Sequence, residues 1–201
     1  MKLVISYSLE QEIWRVQNTL KKLSWYIEQG YKPHLPDGIT IDSSDEGVIN
    51  AIQGEYSEAD YAENAKRLQE EWTTLPKRFG KMRDKTSFHL GNEYNVVLTK
   101  YGVGGSYNPD LNQVIIKINT ATQISRVGTV VHEIVHMTIQ HLIDQYQVRH
   151  WRKERLVDLL MEHYFPGLKK MQNIKEDVAV VDRAFEKYFP DIKEIVQAVG
   201  D

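Results

Sequence analysis

The residues best suited to chemistry lie between positions 128 and 143, where His132, Glu133 and His136 stand in the spacing His-Glu-x-x-His. On a helix each residue advances about 100°, so the two histidines fall about 40° apart and one turn along the same face. Two imidazoles so placed can share one metal ion. Glu133 cannot join them as an equivalent ligand, yet it borders their face and can take a proton from a water held there. Two nitrogen ligands, a general base and an open coordination position are what a zinc-dependent hydrolase requires. The plainer alternative is a helix carrying two partly exposed histidines, and the surroundings of the motif must separate the two.

A third ligand has to come from elsewhere. The chain has no cysteine, so the ligand must be His, Asp or Glu, and disulfides and thiolate-based latency are excluded. His141 follows on the same helix about 180° from His132 and points away. It also misses the spacing in which a glycine and a third histidine follow such a motif. The next helical pattern spans residues 149–164, with Leu156, Leu159 and Leu160 on its packed side, behind a short turn at 144–148. So short a turn makes the two helices antiparallel neighbours. From His136 the first helix descends about 13 Å, and the second must climb as far to return. Glu154 comes back nearly level with His136, whereas His150 stays about one turn too low. Asp158 shares the face of Glu154 and reaches the height of His132, where a carboxylate would hold the imidazole N–H and fix which nitrogen faces the metal. The competing role for Glu154 and Asp158 is surface ion pairing with Arg152, Lys153 or Arg155.

His132-Glu133-x-x-His136 followed by Glu154-x-x-x-Asp158 resembles the gluzincin, or thermolysin-like, group of zinc metallopeptidases over about residues 95–165. The resemblance implies one zinc ion on His132, His136 and Glu154, with Glu133 as the base, Asp158 supporting His132, and a peptide or protein as substrate. The gap of 154 − 136 = 18 residues is compact for the group, and Lys153 stands where the group usually has asparagine.

The elements that must position these residues are legible around them. Asn119, Thr120 and Thr122 offer N-caps for a motif helix over 121–145, whose buried arc would hold Ile124, Val127, Val131, Ile134, Val135, Thr138 and Leu142. Ser125, Gly128 and Thr129 lie upstream on the histidine face, small enough for a cleft to open over them. Before that helix, residues 94–99 and 113–118 read as strands dense in β-branched side chains. Asn108-Pro109-Asp110 is turn chemistry, so 103–107 and 113–118 become the arms of a hairpin. Gly102, Gly104 and Gly105 mark a bulged strand, one approached closely by another backbone, or merely a weak edge strand. In the peptidase reading, Val103, Gly104 and Gly105 would pair with an extended substrate beside the zinc. Tyr101, Tyr107, His150, His163 and Tyr164 are open choices for the group that stabilises an oxyanion.

The first ninety residues read as helices. Residues 2–7 suit a short strand. Ser8 and Gln11 open a helix to about residue 29, with Ile13, Val16, Leu20, Leu23 and Ile27 as its stripe and Gly30 as its stop. His34 falls in a proline-rich connector as a solvated loop histidine. Ser43, Ser44 and Asp45 cap a helix to about 52. A charged helix from 57 to about 74 buries Ala62, Ala65, Leu68 and Trp72. The tail carries Val178, Val181, Phe185 and Tyr188 at helical spacing and then a short terminal helix; like the N-terminal helices, it could also cover the cleft. The expected fold class is therefore α+β and mainly helical, with a small antiparallel hairpin or sheet packed on the motif helix and the glutamate helix. Residues 1–90 would form a helical N-terminal subdomain and 91–201 a zincin-like domain with C-terminal helices, the two making one compact unit.

Composition narrows the functional classes. A chain of 201 residues with 41% hydrophobic and 26% charged residues suits a globular protein with a proper core. A formal net charge of −3 gives no sign of a nucleic-acid partner, which would favour a strongly basic face. No apolar run approaches the roughly 18 residues of a membrane span. The apolar run after Met1 is too short for a secretory leader, which makes the cytoplasm the expected location. A rival to the peptidase is a catalytically silent zincin-like domain that holds zinc for binding or regulation. A helical interaction domain with a chance motif is a third reading.

Overall fold

The computed structural model describes residues 1–86, 88, 90–118, 126–168, 171, 172, 174 and 176–200. In chain order the elements are β1 (Lys2–Ser6), α1 (Leu9–Lys21), α2 (Leu23–Glu28), α3 (Asp45–Glu55), α4 (Glu58–Trp72), α5 (Pro76–Thr86), β2 (Glu93–Thr99), β3 (Gly105–Asn108), β4 (Gln113–Lys117), α6 (Val127–Gln145), α7 (His150–Tyr164), α8 (Ala179–Tyr188) and α9 (Ile192–Val199). The α+β class is as expected. The hairpin is antiparallel, pairing Gly105 with Ile116 and Tyr107 with Val114. It belongs to a four-stranded mixed sheet of order β1-β2-β4-β3, in which β1 runs parallel to β2 and β2 to β4. Strand β3 forms one edge.

Strand β1, from the N-terminal stretch, pairs along its whole length with β2. Val96, Leu98, Val114 and Ile116 share the main core with Leu68 and Trp72 of α4 and with Val127, Val130, Val131 and Ile134 of α6. Val97 and Ile115 instead line a groove with Glu10, Gln11 and Trp14 of α1. Helix α6 is buried almost all round, with His132, Glu133, His136 and Thr138 enclosed along with its aliphatic residues. Such a helix runs through the middle of a protein rather than along its surface.

Several local expectations shift by a residue or a turn. The helix foreseen over 8–29 is broken at Lys22, which leaves helical geometry at φ −109°, ψ 9°. Ser8 accepts the Gln11 N–H as a cap, while the Gln11 side chain donates to Ser6 rather than closing a capping box. The break resets the phase, so Tyr26 is buried in α2 and Ile27 is 62% exposed. In α4 the buried stripe is Tyr61, Leu68 and Trp72, and Ala62 faces water. Helix α5 had no sequence expectation; Phe79 and Met82 anchor it in the core. The described part of the motif helix starts at Val127, and the expected caps Asn119, Thr120 and Thr122, with Ile124 and Ser125, lie outside the described residues. Helices α8 and α9 pack Val181, Ala184, Ile192, Ile195, Val196 and Val199 into the main core.

Candidate metal centre

Helix α6 buries His132 and His136 one turn apart, each 2% exposed. It ends at Gln145, and the turn through Tyr146 and Gln147, the latter at φ +49°, leads into α7, which packs back against α6. That return brings Glu154 Oε2 to 3.4 Å from His132 Nε2 and 3.3 Å from His136 Nε2. The two Nε2 atoms are 3.0 Å apart. Three donors around a tetrahedral zinc with bonds of about 2.0–2.1 Å would be about 3.3 Å from one another. The triangle therefore has the size and the N,N,O chemistry to hold such an ion. Among the described residues it is also the one group of three or more His, Cys, Asp or Glu side chains whose donor atoms converge in this way.

Burial pushes the Glu154 carboxyl up, but the imidazoles of His136 and His132 and the Lys153 ammonium outweigh it, leaving Glu154 well below the usual carboxylate range. An ionised carboxylate is what a metal ligand must be. Gln172 holds its orientation, donating Nε2–H to Glu154 Oε2 at 2.6 Å and its backbone N–H to Asp158 Oδ2 at 2.7 Å. Asp158 Oδ1 lies 3.9 Å from His132 Nδ1, the height foreseen for it but beyond hydrogen-bond length. Of the ion pairs weighed for these carboxylates, Lys153 Nζ does stand 3.7 Å from Glu154 Oε1, while Arg155 pairs with Asp182 at 2.7 Å and Arg152 donates to Val199 O.

Over the triangle opens a cavity of about 410 Å³, lined by Glu133, Val103, Gly104, Gly105, Thr129, His150 and Lys153 among others. Its size is that of a small-ligand pocket. Val103, Gly104 and Gly105 thus all reach the cleft, but only Gly105 lies in the edge strand, since β3 starts there and not at residue 103. Gly104 still joins the ladder, accepting the Lys117 N–H at 3.0 Å. The strand is approached by a side chain, not by another backbone: a Cβ at Gly105 would collide with the Glu133 carboxylate and stand 2.7 Å from Thr129 Cγ2.

Of the five groups open as oxyanion donors, the structure brings Tyr107 and His150 to the cavity. Tyr107 donates its hydroxyl to Gln140, and its ring lies parallel to that of His136, with centroids 5.2 Å apart. Burial and the Glu133 and Glu154 charges push its phenol up, keeping it protonated. His150 Nε2 lies 2.9 Å from the Tyr31 hydroxyl, and burial pulls its imidazole below the ordinary value. Tyr101 turns to Glu55, and His163 stacks on Phe189. Tyr164 is not among the residues of the cavity. His141 is exposed, rather than partly buried, on a separate groove with Phe88 and Tyr188. His34 is exposed in its loop, with Nδ1 3.1 Å from Lys100 O.

Sequence reasoning missed one wall of the cleft. Trp25, Tyr26 and Tyr31, from a segment given no chemistry, line the same cavity as Gly105 and Tyr107 of β3, as does Gln172. The density of aromatic residues over 25–31 was visible, but no spacing rule ties it to residues a hundred positions away. Arg15 was missed as well. Its buried guanidinium donates to Ser106 Oγ at 3.0 Å and to Val103 O at 3.4 Å, from behind the edge strand. No family model, no characterised protein and no solved structure gives a significant match to the chain.

Proposed function

We propose that the protein is a zinc-dependent metallopeptidase that hydrolyses peptide bonds by a metal-activated water. The observation that carries this reading is the triangle of His132 Nε2, His136 Nε2 and Glu154 Oε2, with edges of 3.0–3.4 Å, at the floor of a cavity that Glu133 also lines. A zinc ion there would act as a Lewis acid and bring the pKa of a water to about 7. Glu133 takes the proton from the attacking water and later delivers it to the leaving amine. Strand β3 offers its outer edge to an extended peptide, main chain to main chain, within the same cleft. Tyr107, kept protonated and able to turn its hydroxyl from Gln140, and His150, beside the Tyr31 hydroxyl, are the groups that would meet charge developing on the scissile carbonyl oxygen.

The test is Glu133→Gln, compared with wild type for zinc content and for cleavage of a peptide library followed by mass spectrometry. Retained zinc with cleavage lowered by a factor of about a thousand or more is expected. Equal cleavage by the two proteins would contradict the mechanism. Stoichiometric zinc in a wild type that cleaves nothing would favour a zinc domain used for binding or regulation.

A further inference from the structure

Among the described residues, Arg126 has no counterpart for its charge. The residue lines the cavity over the metal triangle, its Nε is buried, and among the described residues no hydrogen bond or ion pair meets the side chain. An enclosed donor left without an acceptor is costly, so the buried Nε–H of this half-buried side chain calls for a partner. The local sequence offers no remedy, since from Asn112 to His132 there is no Asp or Glu and the charged residues are Lys117 and Arg126. Lys117 compounds the excess: burial first, and the charge of Arg126 second, hold its ammonium below the ordinary range. The acid nearest along the helix, Glu133, packs against Gly105 and Thr129. One end of the cleft thus carries a cation that no described residue pairs, while Glu133 and Glu154 line the rest.

We propose that Arg126 is the carboxylate-recognition residue of this cleft, taking a substrate carboxylate about three residues from the scissile bond. The proposal rests on the peptidase reading above and specifies its substrate class. Arg126 and Glu133 are 133 − 126 = 7 positions apart, which puts them on one side of α6 and separates them by about 10 Å along its axis. An extended peptide advances about 3.3 Å per residue, so about three residues cover that distance. A planar guanidinium meets a carboxylate through two parallel N–H···O bonds, which gives orientation as well as attraction. The carboxylate can belong to a free C-terminus, making the enzyme one that trims short pieces from chain ends, or to an Asp or Glu side chain, making it an endopeptidase with an acidic preference.

Binding separates these cases without requiring turnover. The full chain carrying Glu133→Gln, in the presence of zinc, is titrated calorimetrically with N-acetylated randomised peptides in three forms: free acid, C-terminal amide, and amide with Glu fixed at the third position from the end. The free-acid or the Glu-bearing pool is expected to bind about 10- to 100-fold more tightly than the plain amide pool, the size of a charge-assisted bidentate contact. Preference for the free acid alone assigns the C-terminus as the source; preference for both assigns the acidic side chain as well. Adding Arg126→Ala should abolish the difference, and Arg126→Lys should restore part of it. Equal binding of all three pools, or a preference that survives Arg126→Ala, would overturn the proposal. Wild type that cleaves no pool while this carboxylate-dependent binding persists would instead remove the peptidase reading and leave the subsite standing.

Discussion

Glu133 lies so close to Gly105 that position 105 has no room for a side chain: a Cβ there would collide with the Glu133 carboxylate and stand 2.9 Å from its Cδ. The edge strand and the base of the proposed reaction are therefore fitted to each other, across 28 positions of sequence (133 − 105). Gly105→Ala should displace the carboxylate by a fraction of an ångström to an ångström while leaving the three metal donors in place. Zinc content should stay at the wild-type level and kcat should fall by about a hundredfold, the cost of misplacing a catalytic group by that amount. An unchanged kcat would show that Glu133 is not held against the strand during turnover.

Gln172 reaches both carboxylates of α7, Glu154 through its side chain and Asp158 through its backbone. Gln172→Ala removes only the first of these bonds. Groups that orient a metal ligand typically contribute 10- to 100-fold to affinity. A loss of zinc affinity of about that size, measured by competition with a chelator of known strength, is expected with an unaltered circular dichroism spectrum. No change in affinity would mean that Glu154 is oriented by its helix alone.

Arg15 is a buried cation tied to the edge strand through Ser106 Oγ and to the segment before it through Val103 O and, at 3.5 Å, Tyr101 O. Gly102 makes room for it at φ +85°, where a Cβ would fall 2.8 Å from Arg15 Cζ. Replacing the guanidinium leaves buried acceptors unpaired beside the buried Glu12 carboxylate, so Arg15→Ala should cost about 3–5 kcal/mol in urea unfolding. Gly102→Ala should also destabilise, through both the left-handed backbone and the collision. Wild-type stability in Arg15→Ala would show that the network carries no net energy.

How far these relationships were legible depends on their range. His132, His136, Glu154 and Asp158 could be brought together on paper because two helices and a short turn obey a fixed rise and rotation, and the structure puts their donors within ångströms. The parallel pairing of β1 with β2 joins residues about ninety positions apart, which no periodicity announces. The meeting of Tyr31 with His150 and of Arg15 with Ser106 has the same character. The helix break at Lys22 shows a second limit, since a small change in backbone angle exchanged Ile27 for Tyr26 on the buried side. Helix α5 was hidden by its composition: Pro76, Gly80 and six charged residues leave only Phe79 and Met82 to reveal its inner face.

Glu12 supplies a prediction in pH. Its buried carboxylate accepts from the Tyr61 hydroxyl and the Lys100 N–H. Burial pushes its pKa up more than Tyr61, Lys100 and Arg15 bring it down, so the folded value lies above the ordinary 4.5. Ionisation is then disfavoured in the folded chain. Below about pH 4.5 both states hold the proton and no cost arises; above it the cost grows until pH passes the folded value, and then levels off. Glu12→Gln keeps an acceptor and cannot ionise. The stability of wild type relative to Glu12→Gln should therefore fall as pH rises from 4 and reach a plateau, measured by urea unfolding at each pH. Curves that remain parallel would contradict a raised pKa.

The metal triangle is tested most directly by metal content. Wild type, His132→Ala and Glu154→Ala are purified alike, dialysed against a weak chelator and analysed for metals by mass spectrometry, with circular dichroism to establish that each is folded. About one zinc per wild-type chain, and little or none in either folded variant, is the expected result. A folded wild type without metal, or variants that retain it in full, would contradict a zinc site on His132, His136 and Glu154.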